Sequence, residues 1–396
     1  MATSPSSTSP KSNDPLSRAR AIAPIIEANA QQGQDDRTLP PETVKAMKEA
    51  GVFRIFQPKA VGGDECDFET QVAVAAEVAR ADGSTGWNVI ANGPSSGFAG
   101  AFLGDDAVAE LFGEGKDYCF GGQFAPNGEG VKVDGGYRVT GSWHFGSGTG
   151  HSEYVMGGFI PLVDGAPPML PNGLPDMHVA CIPREEITFT DGWFVMGLEG
   201  TGSFDYECKD VFVRESWTYP LFTREPKRGG GMYRMGIFAI TGAGHAAWAL
   251  GVGRRALDEI NTLARGHTRM GHTTVLAERP TFQKDYIRAE AELKAARLLV
   301  VDVFSEVQRK VDGGADVSIE DRAQMRTAAS YATDASKDAV DMVHLAAGTA
   351  AVRNGSVLER CFRDMHTGTQ HTFIGEDTYL QSAEVLLGLR TESPFL

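Results

Sequence analysis

VKVDGGYRVTGSWHFGSG, Val131 to Gly148, alternates apolar and polar residues about a Gly135-Gly136 pair, then breaks into aromatics and glycines. Alternation with period two turns one face of each arm toward a core, and the glycines supply the turn, so the stretch reads as a β-hairpin. EYVMGGFI, HVACIP, ITFTDGWFVMG and SFDYECKDVFV follow as short strand-like runs between turns. That spacing predicts a small β-barrel or sandwich over residues 118–220.

On either side the text is helical. Residues 15–117 hold alanine-rich stretches such as VAVAAEVARA, punctuated by Gly and Asp positions that end helices. Residues 221–396 return to the helical period, with Ala291, Ala295, Leu298, Val301 and Phe304 predicted to form one buried face of a long helix. Gly236, Gly242, Gly244, Gly251 and Gly253 interrupt a second apolar helix, which predicts close helix packing or approach to a ligand. Residues 1–14, rich in Ser and Pro, read as a disordered tail. The order is a helical domain, a β-domain and a second helical domain.

Charge narrows the partners. The 396 residues carry a formal net charge of -15 and no Lys/Arg block, which excludes nucleic acid and anionic membranes as natural partners. No long uncharged apolar run predicts a membrane span. Five scattered cysteines without a CxxC pair favour reduced thiols in a cytoplasmic protein.

Familiar catalytic patterns are missing. No GxGxxG follows a strand and no GxxxxGK[ST] occurs, and GVGRR (Gly251 to Arg255) lies inside a helical pattern. The histidine pairs His144/His151, His267/His272 and His366/His371 do not match HExxH or a zinc-finger spacing, so no metal site is expected. Ser147 sits in Gly-Ser-Gly without the strand-to-helix elbow of a serine hydrolase.

What remains is the stretch GSWHFGSGTGHS, Gly141 to Ser152. A strand ending in Phe145-Gly-Ser147 can lay an aromatic ring against a flat cofactor while the hydroxyl bonds a ring edge. Equally, Trp143 and Phe145 can fill the β-core with the glycines serving a turn.

Four segments decide for a ligand by resemblance: Gly121 to Gly148, Gly197 to Val213, Arg279 to Leu299 and Arg363 to Gly388. In this order they resemble the acyl-CoA dehydrogenase superfamily, and within it the oxygenase components of two-component flavin-dependent monooxygenases. The resemblance implies an α+β, mostly α fold: an N-terminal helical domain, a central β-barrel or sandwich and a C-terminal four-helix bundle. It implies reduced FMN or FAD as cofactor, a separate flavin reductase as partner and a homotetramer. The implied chemistry adds oxygen to reduced flavin as a C4a-hydroperoxyflavin and oxygenates a small aromatic or heteroatom-containing substrate.

The resemblance also assigns residues. Phe145 corresponds to the ring packed on the isoalloxazine and Ser147 to the hydroxyl at flavin N5. Gln123, Phe124 and Ala125 fall in the loop lining the flavin, and Arg269 falls near an arginine offered to the flavin phosphates of a neighbouring subunit. His371, in Thr369-Gln370-His371, corresponds to the histidine near the oxygen-reactive face, there to stabilise the peroxide or to act as acid/base, for which an imidazole titrating near ~6.5 is suited. Many of these monooxygenases carry a second active-site histidine in the segment matching GWNVIANGPSSG (Gly86 to Gly97). Here Asn88 and Asn92 stand there, with Asn92 the candidate catalytic residue. Two other readings share the fold: an acyl-CoA dehydrogenase with Glu376 of IGEDT as the α-proton base, and a non-catalytic flavin-binding protein.

Overall fold

The computed structural model describes residues 14–190, 192–268, 271–393 and 396. Of the sequence expectations, the N-terminal tail (apart from Asp14) and Arg269 lie outside them. The chain opens with α1 (Pro15–Asp36), α2 (Pro41–Ala50), α3 (Phe68–Ala81), α4 (Gly83–Phe102) and α5 (Asp105–Leu111). Side chains that accept from orphan backbone N–H groups start these helices where the sequence changes character. Asp67 caps α3 at Thr70 N (2.9 Å), and Asp82 caps α4 at Thr85 N (2.8 Å).

The strands are β1 (Phe120–Val133), β2 (Gly136–Gly146), β3 (Tyr154–Leu162), β4 (His178–Pro183), β5 (Thr188–Thr190), β6 (Phe204–Arg214) and β7 (Thr218–Pro220). The sequence left barrel or sandwich open; the strands form one mixed sheet ordered β5-β6-β2-β1-β3-β4-β7. Pairing is antiparallel except between β1 and β3. The hairpin lies where the alternation put it, but its two-residue turn is Asp134-Gly135, with Gly135 at φ +76°. The segment expected as a loop, Gln123 to Ala125, is part of β1. A register shift against β3 between Gln123 and Gly128 makes it irregular, so the expected loop is instead an irregular stretch of strand.

The second helical region holds α6 (Gly231–Arg234), α7 (Ile237–Ala264), α8 (Pro280–Asp312), α9 (Ile319–Ala347), α10 (Val357–Gly368) and α11 (Glu376–Leu386). Central α7 packs on α3, α4, α8, α9 and α10, joining the two helical regions through one core. Gly251 permits close backbone approach to α3, since a Cβ there would lie 2.4 Å from Ala76 O. The face expected for α8 is rotated. Leu293, Ala296, Val300 and Phe304 are buried, whereas Ala291, Ala295 and Leu298 are exposed. Two apolar stripes run along this helix, and period alone does not say which one faces the core. No described helix is long and apolar enough to cross a membrane.

Candidate active site

The end of β2 builds the first wall. Phe145 is 64 % exposed and sits at φ +59°, a left-handed conformation rare for a bulky residue. The Asp205 carboxylate on β6 fixes it, accepting from Phe145 N (3.2 Å) and lying 2.8 Å from His144 Nδ1. Trp193 meets the Phe145 ring edge-on at 6.1 Å. His144 is therefore a strand clamp. Trp143 belongs to the core: it is fully buried, stacked on Tyr206 and donates to Gly158 O at 2.9 Å.

Ser147 stands two residues on, where the backbone turns tightly (Ser147 N to Phe145 O, 2.8 Å) and bridges to Gly122. Its Oγ accepts from Trp87 Nε1 (3.0 Å) and from Ser203 Oγ (3.2 Å). Both lone pairs are thus engaged, and its own proton has no acceptor among the described residues. Thr201 Oγ1 lies 2.8 Å from Ser203 Oγ and donates to it, which leaves the Ser203 proton for Ser147. Behind Ser147, Gln123 N donates to the buried Tyr206 hydroxyl (2.8 Å), which in turn donates to Met156 O. Phe124 leans on Phe98, and the carbonyls of Phe124 and Ala125 lie over Gly158, where a Cβ would clash. These three residues lie in the irregular part of β1.

His371 follows α10 and is brought to the other side of Trp87, with ring centroids 5.7 Å apart. Its Nδ1 accepts from Phe373 N (3.3 Å), so the hydrogen-bond network assigns the proton of the neutral ring to Nε2. Burial, reinforced by His245 and the Arg326 cation, pulls its pKa down to about 3. A ring held neutral at pH 7 favours a hydrogen-bond donor over an acid/base group among the two roles expected of His371.

His245, on α7 and absent from the sequence reading, organises this corner. It is 1 % exposed and its Nε2 donates to Gly368 O (3.0 Å), the carbonyl that also accepts from His371 N (3.1 Å). Trp248 closes the cluster, 5.0 Å from Trp87 and 5.4 Å from His245. Trp87 was equally missed, although it stands beside Asn88 in the segment quoted above. An indole N–H with a buried body wants a polar partner, and that was the available signal.

Asn92 has a different setting from the one expected. It is buried, its Nδ2 donating to Phe120 O (2.8 Å) and Ser152 Oγ (3.2 Å) beneath Gly148. Asn88 similarly holds Ser84 O at 3.0 Å. Glu376 is exposed in the first turn of α11. Among the described residues no cluster of His, Cys, Asp and Glu could hold a metal. The exposed Phe145 ring and the unspent Ser147 proton fit a flat heterocycle with a polar edge, the chemistry a flavin presents.

Comparisons with known proteins agree. Residues 18–103 match the family described as acyl-CoA dehydrogenase, N-terminal domain, and residues 243–376 match acyl-CoA dehydrogenase, C-terminal domain. The chain is 29% identical over 379 residues to an indole-3-acetate monooxygenase of Pseudomonas putida, covering 93% of this chain and 95% of that one. It is 30% identical over 358 residues to the flavin-dependent monooxygenase oxygenase subunit HsaA of Mycobacterium tuberculosis, covering 88% and 89%. The crystal structure of that protein superposes with a TM-score of 0.88 at 28% identity, over 97% of this chain and 99% of that one. An FADH2-dependent resorcinol hydroxylase, oxygenase component, of Rhizobium sp. is 28% identical over 400 residues, covering 96% and 95%.

Proposed function

The chain belongs to the flavin-dependent monooxygenases built on the acyl-CoA dehydrogenase fold, as an oxygenase component, and on that premise we propose how its residues divide the work. Reduced flavin, FMN or FAD, delivered by a separate reductase, supplies when bound the electrons that let dioxygen give one atom to a small aromatic or heteroatom-containing substrate. Phe145 provides the flat wall for the ring system. Ser147, with both lone pairs filled by Trp87 and Ser203, would offer its proton to a ring-edge acceptor beside N5, such as the adjacent ring carbonyl. His371 donates through Nε2–H to the oxygen being transferred, and its low pKa keeps it from delivering a proton prematurely. Trp87, Trp248 and His245 exclude water from the same corner. Asn92 serves as a positioning residue, holding β1 to the loop that carries Ser147.

The observation that carries this reading is the Ser147 hydroxyl, fixed between two donors next to an exposed, strained phenylalanine. Assembly as a homotetramer is supported by Ile287 and Leu298 on α8 and Leu386 and Leu387 at the end of α11, all more than half exposed. The cytoplasm, where reductases supply reduced flavin, is the fitting compartment. The test uses reduced FMN or FAD from an unrelated reductase, labelled dioxygen and an aromatic panel. One labelled oxygen atom in the product is expected. Unlabelled product, or reduction of bound flavin by an acyl-CoA thioester, would overturn the proposal.

A further inference from the structure

α10 borders the site twice. Its last residue is Gly368, whose carbonyl accepts from His371 N at 3.1 Å. One turn earlier, Asp364 bonds the segment 197–203, which ends in the serine that donates to Ser147.

Leu198 is the hub of that segment. It is buried and holds φ +58°, a left-handed conformation that a leucine keeps only where its surroundings impose it. Asp364, 2 % exposed, imposes it from α10: its Oδ1 accepts from Leu198 N at 2.6 Å. The neighbouring Arg363 brackets the same turn, donating to Met196 O at 2.9 Å and to Glu199 Oε2 at 2.8 Å. Gly197 lets the two backbones meet, since a Cβ there would lie 2.3 Å from Arg363 O.

The Leu198 carbonyl passes the constraint on. It accepts from Trp193 Nε1 and from Thr201 N, each at 3.1 Å. Trp193 is the ring set edge-on to Phe145, and Thr201 is the residue that donates to Ser203. The Thr201 carbonyl also accepts from Gly148 N at 3.3 Å, so Thr201 holds Ser203 and the residue after Ser147 together.

We propose that Asp364 is a positioning residue for the oxygenation. It fixes the Leu198 turn so that one helix, α10, sets both the Ser147 hydroxyl and the His371 ring. This rests on the oxygenase reading of the site. Burial and the nearby Asp82 charge make this carboxyl costly to ionise, so the fold gives up stability to keep an acceptor here. The bond needs only an acceptor oxygen, which the carboxyl offers with or without its proton.

The test compares Asp364→Ala, Asp364→Asn and Thr201→Val, each in the wild-type and in the Ser147→Ala background. Peroxide per product is measured with reduced FMN, oxygen and an aromatic panel. Hydrogen exchange of residues 197–203 is followed by mass spectrometry without flavin. Asp364→Ala and Thr201→Val should each raise peroxide per product roughly 2–10-fold, the effect of one lost hydrogen bond. Where Ser147 is already Ala, each should add less than about two-fold, the margin within which independent effects add. Asp364→Asn keeps an acceptor oxygen, so it should stay within that same margin of wild type. Exchange in residues 197–203 should quicken in Asp364→Ala and not in Asp364→Asn.

A residue that only stabilises α10 would lower the urea midpoint and leave peroxide per product of the folded protein unchanged. That result, or equal multiplication in both backgrounds, would overturn the proposal. Thr201→Val keeps its shape and lies outside α10, so its lack of effect would overturn the proposal even if Asp364→Ala does not fold. A wild type that binds no reduced FMN and forms no product would sink the oxygenase reading, while the exchange comparison still decides what Asp364 holds. Product from the wild type with none of the expected changes would sink the positioning role alone.

Discussion

Replacing Ser147 by Ala leaves the Trp87 Nε1–H and the Ser203 hydroxyl without their shared acceptor and removes the hydroxyl proposed to meet the flavin. A neutral hydrogen bond is worth about 0.5–1.5 kcal/mol net, so Ser147→Ala should release roughly 2–10-fold more peroxide per product formed. Ser147→Thr, which keeps the hydroxyl, should restore coupling; peroxide and product measured together check both. His371 makes a second prediction at this scale. With a pKa near 3 it stays neutral, so the yield of product per oxygen consumed should be flat from pH 5.5 to 8.5. A break near pH 6.5 that His371→Gln abolishes would show that the ring titrates there instead. Phe145, Ser147 and His371 could be put forward from the sequence because the resemblance is carried by short contiguous motifs. Trp87, His245 and Ser203 could not. They come from α4, α7 and the turn before β6, and no single window of sequence contains their partners.

At the scale of elements, the site depends on how α10 ends. Gly368 lies against Trp248, where a Cβ would come within 2.1 Å of the indole, and its carbonyl accepts from both His245 and His371. Gly368→Ala has to displace a fully buried tryptophan. Overpacking of this kind costs about 1–3 kcal/mol, so the urea midpoint should fall and product formation should fall with it. An unchanged midpoint would mean that the corner is looser than its contacts indicate. The β-hairpin and the helix–sheet–helix order were readable because period two and period 3.6 differ plainly. The register of α8 was not: Leu298 and Phe304 are both apolar, yet only Phe304 is buried. A second apolar stripe on a helix is invisible as such until the core has chosen the first. The irregular Gln123–Gly128 stretch had no local signal beyond its glycines and proline.

For the whole molecule, buried titratable groups set the response to acid. His151, His245 and His371 are held neutral, with pKa values of about 3, 4 and 3, chiefly by burial. Unfolded histidine titrates near ~6.5, so between those values unfolding takes up three protons. Asp364 opposes this, because burial and the nearby Asp82 charge raise it to about 7 and it releases a proton on unfolding. The balance is two protons taken up, so stability is fully present above about pH 6.5 and falls as the pH drops toward 5, by at most ~2.7 kcal/mol per pH unit. Urea unfolding at pH 7, 6 and 5 checks this, and a midpoint that holds or rises at pH 5 would contradict it. The central claim, that this chain binds reduced flavin and governs its reaction with oxygen through Ser147, is tested most directly by rapid mixing. The protein is loaded anaerobically with reduced FMN or FAD, mixed with oxygenated buffer and followed by the absorbance of oxidised flavin. Oxidised flavin is expected to appear after a lag in the wild type, and after a shorter lag in Ser147→Ala. Oxidation of both at the rate of free reduced flavin, with no lag, would contradict the account.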